Sequence, residues 1–168
     1  MLPKVVFTDI DGVWTDGGMY YDEMGGEFKK FNTSDSAGVL FLHINDIPIV
    51  ILTGENSSAV LHRAKKLKIR EVFVAVKNKL EKATKWLSER NISLSEAAFI
   101  GDDLNDMELL RAVGISACPN QAPDYVKNCV GHILHKKGGE GAFREFVEML
   151  LKNEGELENT LKKWTEQV

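Results

Sequence analysis

Phe7-Thr8-Asp9-Ile10-Asp11-Gly12-Val13 is an apolar run that ends abruptly in two carboxylates and a glycine. The residues before the carboxylates, Val5-Val6-Phe7, read as a strand covered on both faces, because β-branched and aromatic side chains without polar alternation suit that setting. Such strands belong to parallel sheets. Residues 47–52, 71–74, 97–100, 114–117 and 132–134 repeat the pattern. Between them lie stretches of helical length that begin near Asp35, Ser57, Lys79, Leu104, Ala122 and Gly141. Within residues 57–68, for example, Val60, Leu61, Ala64 and Leu67 recur at helical spacing and leave Arg63 and Lys66 on the other side. The alternation predicts an α/β fold, a Rossmann-like doubly wound parallel sheet with helices on both faces. Residues 1–153 form the expected core. Beyond Gly155 a helical tail, 154–168, carries Leu157, Leu161 and Trp164 at helical spacing.

One segment breaks the alternation. Met19-Tyr20-Tyr21 and Glu27-Phe28-Lys29-Lys30-Phe31 flank the turn-rich Asp22-Glu23-Met24-Gly25-Gly26, which predicts a hairpin flap over about residues 19–31. Because it follows the first strand, it projects beyond the carboxyl edge of the sheet, where open α/β folds bind ligands.

The 168 residues suit one domain, and 43% hydrophobic and 27% charged residues with 14 Gly and 4 Pro exclude collagen-like, disordered and disulfide-scaffold classes. With 25 acidic against 21 basic side chains the net charge is -4, so no global field draws the molecule to nucleic acid or anionic lipid. Cys118, Cys129 and the four histidines form no CxxC or HExxH spacing, which argues against zinc. The N-terminal apolar run is too short for a signal peptide, and no run approaches the roughly 18 residues of a membrane span. The expected compartment is the cytoplasm, without a membrane or nucleic-acid partner.

A second acidic cluster, Ile100-Gly101-Asp102-Asp103-Leu104-Asn105-Asp106, also follows a predicted strand. Parallel topology brings both clusters to one edge of the sheet. Five carboxylates there repel one another unless a cation neutralises them, and hard oxygen donors without His or Cys favour Mg2+, which shares its coordination with a substrate phosphate. Thr53-Gly54 ends another predicted strand and offers a hydroxyl and backbone N–H groups to phosphate oxygens, while Lys79 opens a helix and supplies positive charge. Singly, these read equally well as a turn and a solvated helix start. Their order is the specific signal.

That order resembles the haloacid dehalogenase superfamily of phosphotransferases, over nearly all of residues 4–150. The resemblance implies that Asp9 is the nucleophile, taking the phosphoryl group as an aspartyl phosphate, and that Asp11 protonates the leaving alcohol and then activates water. It implies that Thr53, Gly54 and Lys79 bind the transferring group, that Asp9, Asp102 and the Asp11 backbone carbonyl hold Mg2+, and that Asp103 and Asp106 support them from outside. Carboxylate attack splits hydrolysis into two steps, and the cations stabilise an in-line transition state.

Larger members carry a cap domain. Here the first interval holds only the hairpin, and the stretch from Thr53 to Lys79 only one helix and one strand, which matches the small capless branch acting on phosphates of keto-deoxy sugar acids. That branch implies a homotetramer whose hairpins cap a neighbouring active site. Trp14 within Asp9-Ile10-Asp11-Gly12-Val13-Trp14, Phe31-Asn32-Thr33-Ser34-Asp35-Ser36-Ala37-Gly38 and Gly138-Gly139-Glu140-Gly141-Ala142-Phe143-Arg144-Glu145 look most like members acting on 2-keto-3-deoxy-nonulosonate 9-phosphate. The alternative substrate is 3-deoxy-octulosonate 8-phosphate. The implied substrate contacts are Thr33, Ser34, Asp35, Glu55, Arg63, Lys66 and Arg144, with Arg63 and Lys66 meeting the acid's carboxylate. Glu55 to Arg63 spans roughly 12 Å along a helix, about the length of a nine-carbon chain. The glycine-rich tail at 138–141 would fold toward the site with Arg144 ordering it. Plainer readings are a solvent face for Arg63 and Lys66, a loop and helix start for the tail, and packing for Trp14. Non-enzymatic alternatives are a phospho-acceptor signalling domain or an oligomerising scaffold, although receivers take phosphate on the third strand rather than the first.

Overall fold

The structure is a computed structural model that describes residues 1–166, so the last two positions of the expected 154–168 tail lie outside the described residues. The chain runs β1 (Val5–Thr8), β2 (Tyr20–Tyr21), β3 (Glu27–Phe28), α1 (Asp35–Ile44), β4 (Ile49–Leu52), α2 (Ser58–Lys66), β5 (Glu71–Phe73) and α3 (Lys79–Ser88). It continues through β6 (Ala97–Ile100), α4 (Met107–Ala112), β7 (Ile115–Cys118), α5 (Asp124–Lys127), β8 (His132–Ile133), α6 (Ala142–Asn153) and α7 (Leu157–Glu166).

Six strands form one parallel sheet in the order β5-β4-β1-β6-β7-β8. The chain steps outward from β1 to β4 and β5, then returns to β6 on the other side of β1. The reversal opens a crevice at the carboxyl ends of β1 and β6. Strand alternation feeds two cores. Val6, Ile49, Ile51, Ala98 and Ile100 meet α1, α2 and α6 on one face, while Val5, Phe7, Val50, Leu52 and Phe99 meet α3 and α4 on the other.

Trp14 belongs to the first core. Its ring lies 4.5 Å from that of Phe143, and its Nε1 donates to Thr8 Oγ1 at 2.8 Å. Its role is therefore packing at the base of the catalytic loop rather than lining a substrate cavity. α7 folds back over the same layer, where Asn45 Nδ2 donates to the buried Thr160 Oγ1 at 2.8 Å and Leu157 packs on the core.

Several elements are shorter than their sequence pattern. β4 starts at Ile49 because Asp46 turns the chain at a φ of 54° and Pro48 has no N–H to give the ladder. The helix expected near Leu104 begins as a single 3-10 turn, Leu104–Asp106, capped by the Asp103 and Asp106 side chains, before α4 takes over. Only Tyr20–Tyr21 and Glu27–Phe28 pair in the hairpin, because Lys29 turns its ammonium inward and Phe31 packs on the core. No helix among the described residues is long and apolar enough to cross a membrane.

Phe143 joins α6 to Trp14 with no solvent exposure. Phe143→Ala is expected to cost about 3–5 kcal/mol in urea unfolding; a loss below about 1 kcal/mol would contradict this packing.

Candidate active site

Asp9 follows the last residue of β1, and its N–H extends the ladder by donating to Ile100 O at 3.0 Å. The chain then turns tightly: the N–H groups of Val13, Trp14 and Thr15 all donate to Ile10 O, at 3.1, 2.8 and 3.2 Å. Gly12 takes a φ of +81°, and a Cβ there would lie 1.8 Å from Asp102 Oδ2. Glycine is thus required for the β1 loop and the loop after β6 to approach each other.

Lys79 is the first residue of α3, whose start is fixed by the Asn78 side chain accepting from the Glu81 N–H. Its fully buried ammonium lies 2.9 Å from Asp9 Oδ1 and 2.5 Å from Asp106 Oδ1. Burial pulls this lysine's pKa down, but the charges and hydrogen bonds of Asp9 and Asp106 outweigh it and hold the pKa above its ordinary value. Asp106 also accepts from the backbone N–H groups of Asp102 and Asp103, at 2.9 and 3.2 Å. It is fully committed as an anchor.

The neighbouring carboxylates are not so well satisfied. Burial and the Asp106 charge raise the Asp9 pKa to about 7 despite Lys79. Burial, then the charges of Asp9, Asp106 and Asp103, raise that of Asp102 to about 8. Carboxylate oxygens of Asp9, Asp102 and Asp106 lie within 4.8 Å of one another, and the buried Asp102 Oδ1 has no hydrogen-bond partner among the described residues. Since Lys79 and two N–H groups already occupy Asp106, the open donors are on Asp9 and Asp102. Hard anionic oxygens in surplus fit a divalent cation such as Mg2+.

Above them is a cavity of about 270 Å³. It gathers Asp9, Asp11, Thr53, Gly54, Glu55, Asp102 and Asp103 from the sequence-predicted set, with Lys79 beneath, bonded to both Asp9 and Asp106. Gly12, Gly17 and Asn105 complete its wall. Thr53 stands at the end of β4, where its N–H donates to Phe73 O at 3.0 Å and its Oγ1 accepts from the Glu55 N–H at 3.3 Å. Glu55 is exposed at the rim.

Other sequence-predicted contacts lie elsewhere. Asp35 is fully buried, and its Oδ1 accepts from the Arg144 N–H at 3.0 Å, so the carboxylate caps α6 from α1 instead of facing the cavity. Burial raises its pKa to about 6 in spite of that bond. The Arg144 guanidinium points along its own helix to Glu148 Oε1 at 2.7 Å. It does not order the glycine tail. Thr33 and Ser34 form the turn into α1, with Asn32 Oδ1 accepting from the Ser34 N–H at 2.9 Å. Arg63 is not on a free solvent face: its Nη2 donates to Ser36 Oγ at 3.0 Å and Asn32 O at 3.3 Å. With the exposed Lys66 it lines a separate recess of about 550 Å³ beside the flap, together with Lys29, Phe31 and His62.

Two residues absent from the sequence reading brace the catalytic loop. Lys29 Nζ lies 2.7 Å from Asp11 Oδ1 and 3.1 Å from Glu27 Oε1. Gln121 donates its Nε2 to Gly12 O at 2.7 Å and accepts the Gly138 N–H at 2.9 Å. It thereby joins the loop to the glycine tail, and a Cβ on Gly138 would lie 2.0 Å from Gly12 O. Asn105 lay within the quoted acidic motif, so its position was a signal; no local pattern marked Lys29 or Gln121.

Residues 66–145 match the haloacid dehalogenase-like hydrolase family. The chain is 39% identical over 155 residues to a 3-deoxy-D-manno-octulosonate 8-phosphate phosphatase of Haemophilus influenzae, covering 90% of this chain and 84% of that one. A solved cobalt-bound form of the Haemophilus influenzae phosphatase superposes with a TM-score of 0.86 at 37% identity, over 91% of this chain and 90% of that one. A Moraxella catarrhalis phosphatase, solved with magnesium, phosphate and a KDO molecule, superposes with a TM-score of 0.93 at 31% identity, over 96% and 93%.

Asp9 and Asp102 carry pKa values of about 7 and about 8 in the fold, above the ordinary 3.8. Between those limits these two groups bind more protons in the metal-free folded protein than in the unfolded chain, so their contribution to stability is fully present in acid and falls as pH rises toward 8. A cation replaces those protons. Added Mg2+ is therefore expected to raise Tm more at pH 8 than at pH 5, against a chelator control; an equal or absent shift would contradict this electrostatic account.

Proposed function

The chain belongs to the haloacid dehalogenase-like hydrolases, and from that premise we propose that it is a magnesium-dependent phosphatase hydrolysing the phosphate monoester of a keto-deoxy sugar acid. The observation that carries this reading is the contrast between two carboxylates on one turn. Asp9 is held from below by Lys79 beside Asp102, whereas Asp11 turns to Lys29. That contrast supports Asp9 as the nucleophile and Asp11 as the acid and base.

In this mechanism an Asp9 carboxylate oxygen attacks phosphorus as the bond to the substrate's alcohol oxygen breaks, giving an aspartyl phosphate. Asp11 delivers a proton to the departing oxygen. It then takes a proton from the water that attacks phosphorus, releasing phosphate and restoring Asp9. Thr53, Gly54 and Lys79 hold the transferring oxygens. Asp9, Asp102 and the Asp11 backbone carbonyl would hold magnesium, which would offset the negative charge that carboxylates and phosphoryl group accumulate together. Asp106 and Asp103 act from outside, Asp106 by fixing Lys79 and Asp103 by capping the Leu104–Asp106 turn.

For the substrate, the named relatives favour 3-deoxy-octulosonate 8-phosphate, the alternative of the sequence reading. A nine-carbon acid is the second reading, favoured by Glu55 at the rim and by the cationic recess of Arg63 and Lys66, which suits a carboxylate extending past the flap. We infer a homotetramer in which the hairpin caps a neighbouring site, supported by exposed Tyr21, Met24 and Phe28, of which Met24 is 96% exposed. The core over residues 1–153 supplies the chemistry, and a cytoplasmic setting accords with a phosphorylated substrate.

Asp9→Asn is expected to lower phosphate release by at least about 10³-fold with an unchanged circular dichroism spectrum; substantial turnover, once deamidation is excluded, would remove Asp9 as nucleophile. Among sugar-acid phosphates assayed with magnesium, the eight-carbon acid should be cleaved fastest and a chelator should stop all of them. Preference for the nine-carbon acid, with Arg63→Ala raising KM for it but not for p-nitrophenyl phosphate, would establish the second reading.

A further inference from the structure

Lys29 is the first residue past β3, on a flap whose Tyr21, Met24 and Phe28 stand in solvent. A lysine in such a place normally keeps its ammonium in water. Here the side chain is 1% exposed and reaches the catalytic loop, 2.7 Å from Asp11 Oδ1. Desolvating and ordering an ammonium is costly unless specific partners offset it, and the partners are Asp11 and Glu27.

Asp11 depends on this contact. Among the described residues the carboxylate's only other hydrogen bond is a long one from Thr15 Oγ1 at 3.4 Å, and that hydroxyl also accepts from the N–H groups of Gly12 and Gly17 at 3.3 and 3.2 Å. Asp11 Oδ2 has no hydrogen-bond partner among the described residues. The flap's other polar ties, Tyr20 OH to Asp16 Oδ2 at 2.9 Å and Lys30 Nζ to the same oxygen at 3.4 Å, are exposed and end farther along the loop. One carboxylate oxygen is therefore clamped by the flap, and the other is buried at the cavity wall without a protein partner.

Resting on the phosphatase reading with Asp11 as acid and base, we propose that Lys29 is a positioning residue for proton transfer, making the flap part of the catalytic apparatus of its own chain. Lys29 holds Oδ1 so that Oδ2 faces the scissile bond. The proton passes from Oδ2 to the substrate's bridging oxygen as that oxygen leaves phosphorus, and returns to Oδ2 from the attacking water. Lys29 keeps its own protons throughout.

Leaving groups of different acidity separate positioning from structural support. A departing alcohol needs the proton, whereas an acidic phenol leaves without it, and general-acid assistance contributes about 10²–10⁴-fold where it is needed. kcat/KM is measured with magnesium for wild type, Lys29→Met, Lys29→Arg and Asp11→Asn on an alkyl phosphate and aryl phosphates of graded leaving-group acidity. Lys29→Met should lose little on the most acidic phenol and on the order of 10²-fold on the alkyl phosphate. The steepening should parallel that of Asp11→Asn, and Lys29→Arg should keep the wild-type slope. A loss of equal size across the series, or none, would overturn the proposal. If circular dichroism shows Lys29→Met unfolded, Lys29→Gln is read in its place by the same criterion. Wild type inactive on every ester would instead overturn the phosphatase reading, so the two failures are distinguishable.

Discussion

The buried Lys79 ammonium between Asp9 and Asp106 is the interaction on which the rest of the site depends. It joins the end of β1, the start of α3 and the loop after β6, three elements that share no local sequence. Removing one member would leave an uncompensated buried charge, an error that typically costs about 3–5 kcal/mol. It also sets the charge of the centre. Three ionised carboxylates, Asp9, Asp102 and Asp106, against one ammonium leave a surplus of two negative charges, which matches a divalent cation. The raised pKa values of Asp9 and Asp102 express the same surplus in protons.

Around that centre the β1 loop is fixed from three directions. Asp102 packs where only a glycine at position 12 allows it, Gln121 donates to the Gly12 carbonyl while Gly138 packs against it, and Lys29 reaches in from the flap. These contacts place Asp9 and Asp11 in unlike surroundings although a single residue separates them. Asp9 faces cationic and acidic neighbours at the base of the crevice; Asp11 is reached by a surface element. The proposed division of labour between nucleophile and acid–base rests on that difference rather than on chemistry intrinsic to either side chain.

Most of the sheet was legible because its central strands β1, β4 and β6 are buried, largely apolar runs and the longer helices carry an apolar stripe. Asp9, Asp11, Thr53, Lys79 and Asp102 were legible for a related reason: each sits at the end of a regular element, and parallel topology sends those ends to one edge. Asp35 was misread because a carboxylate that caps a helix of distant sequence looks the same as one that binds substrate; its partner, Arg144, lies 109 positions away. Gln121 was invisible for the same reason, since its bond to Gly12 also spans 109 positions. Lys29 stood in a hairpin whose alternation gave no hint that it would leave the strand and turn inward. Arg63 and Lys66 were correctly placed opposite the apolar stripe of α2, but the recess they line adjoins the flap rather than the acidic cavity.

In the proposed reaction, phosphate passes through a covalent bond to Asp9. Rapid quenching during turnover, borohydride reduction of any acyl phosphate and peptide mass analysis detect that bond. Conversion of residue 9 to homoserine only in the presence of substrate and magnesium is the predicted result. Turnover at the same rate with residue 9 unmodified, or with the reduced residue at Asp11 or Asp102, would contradict it.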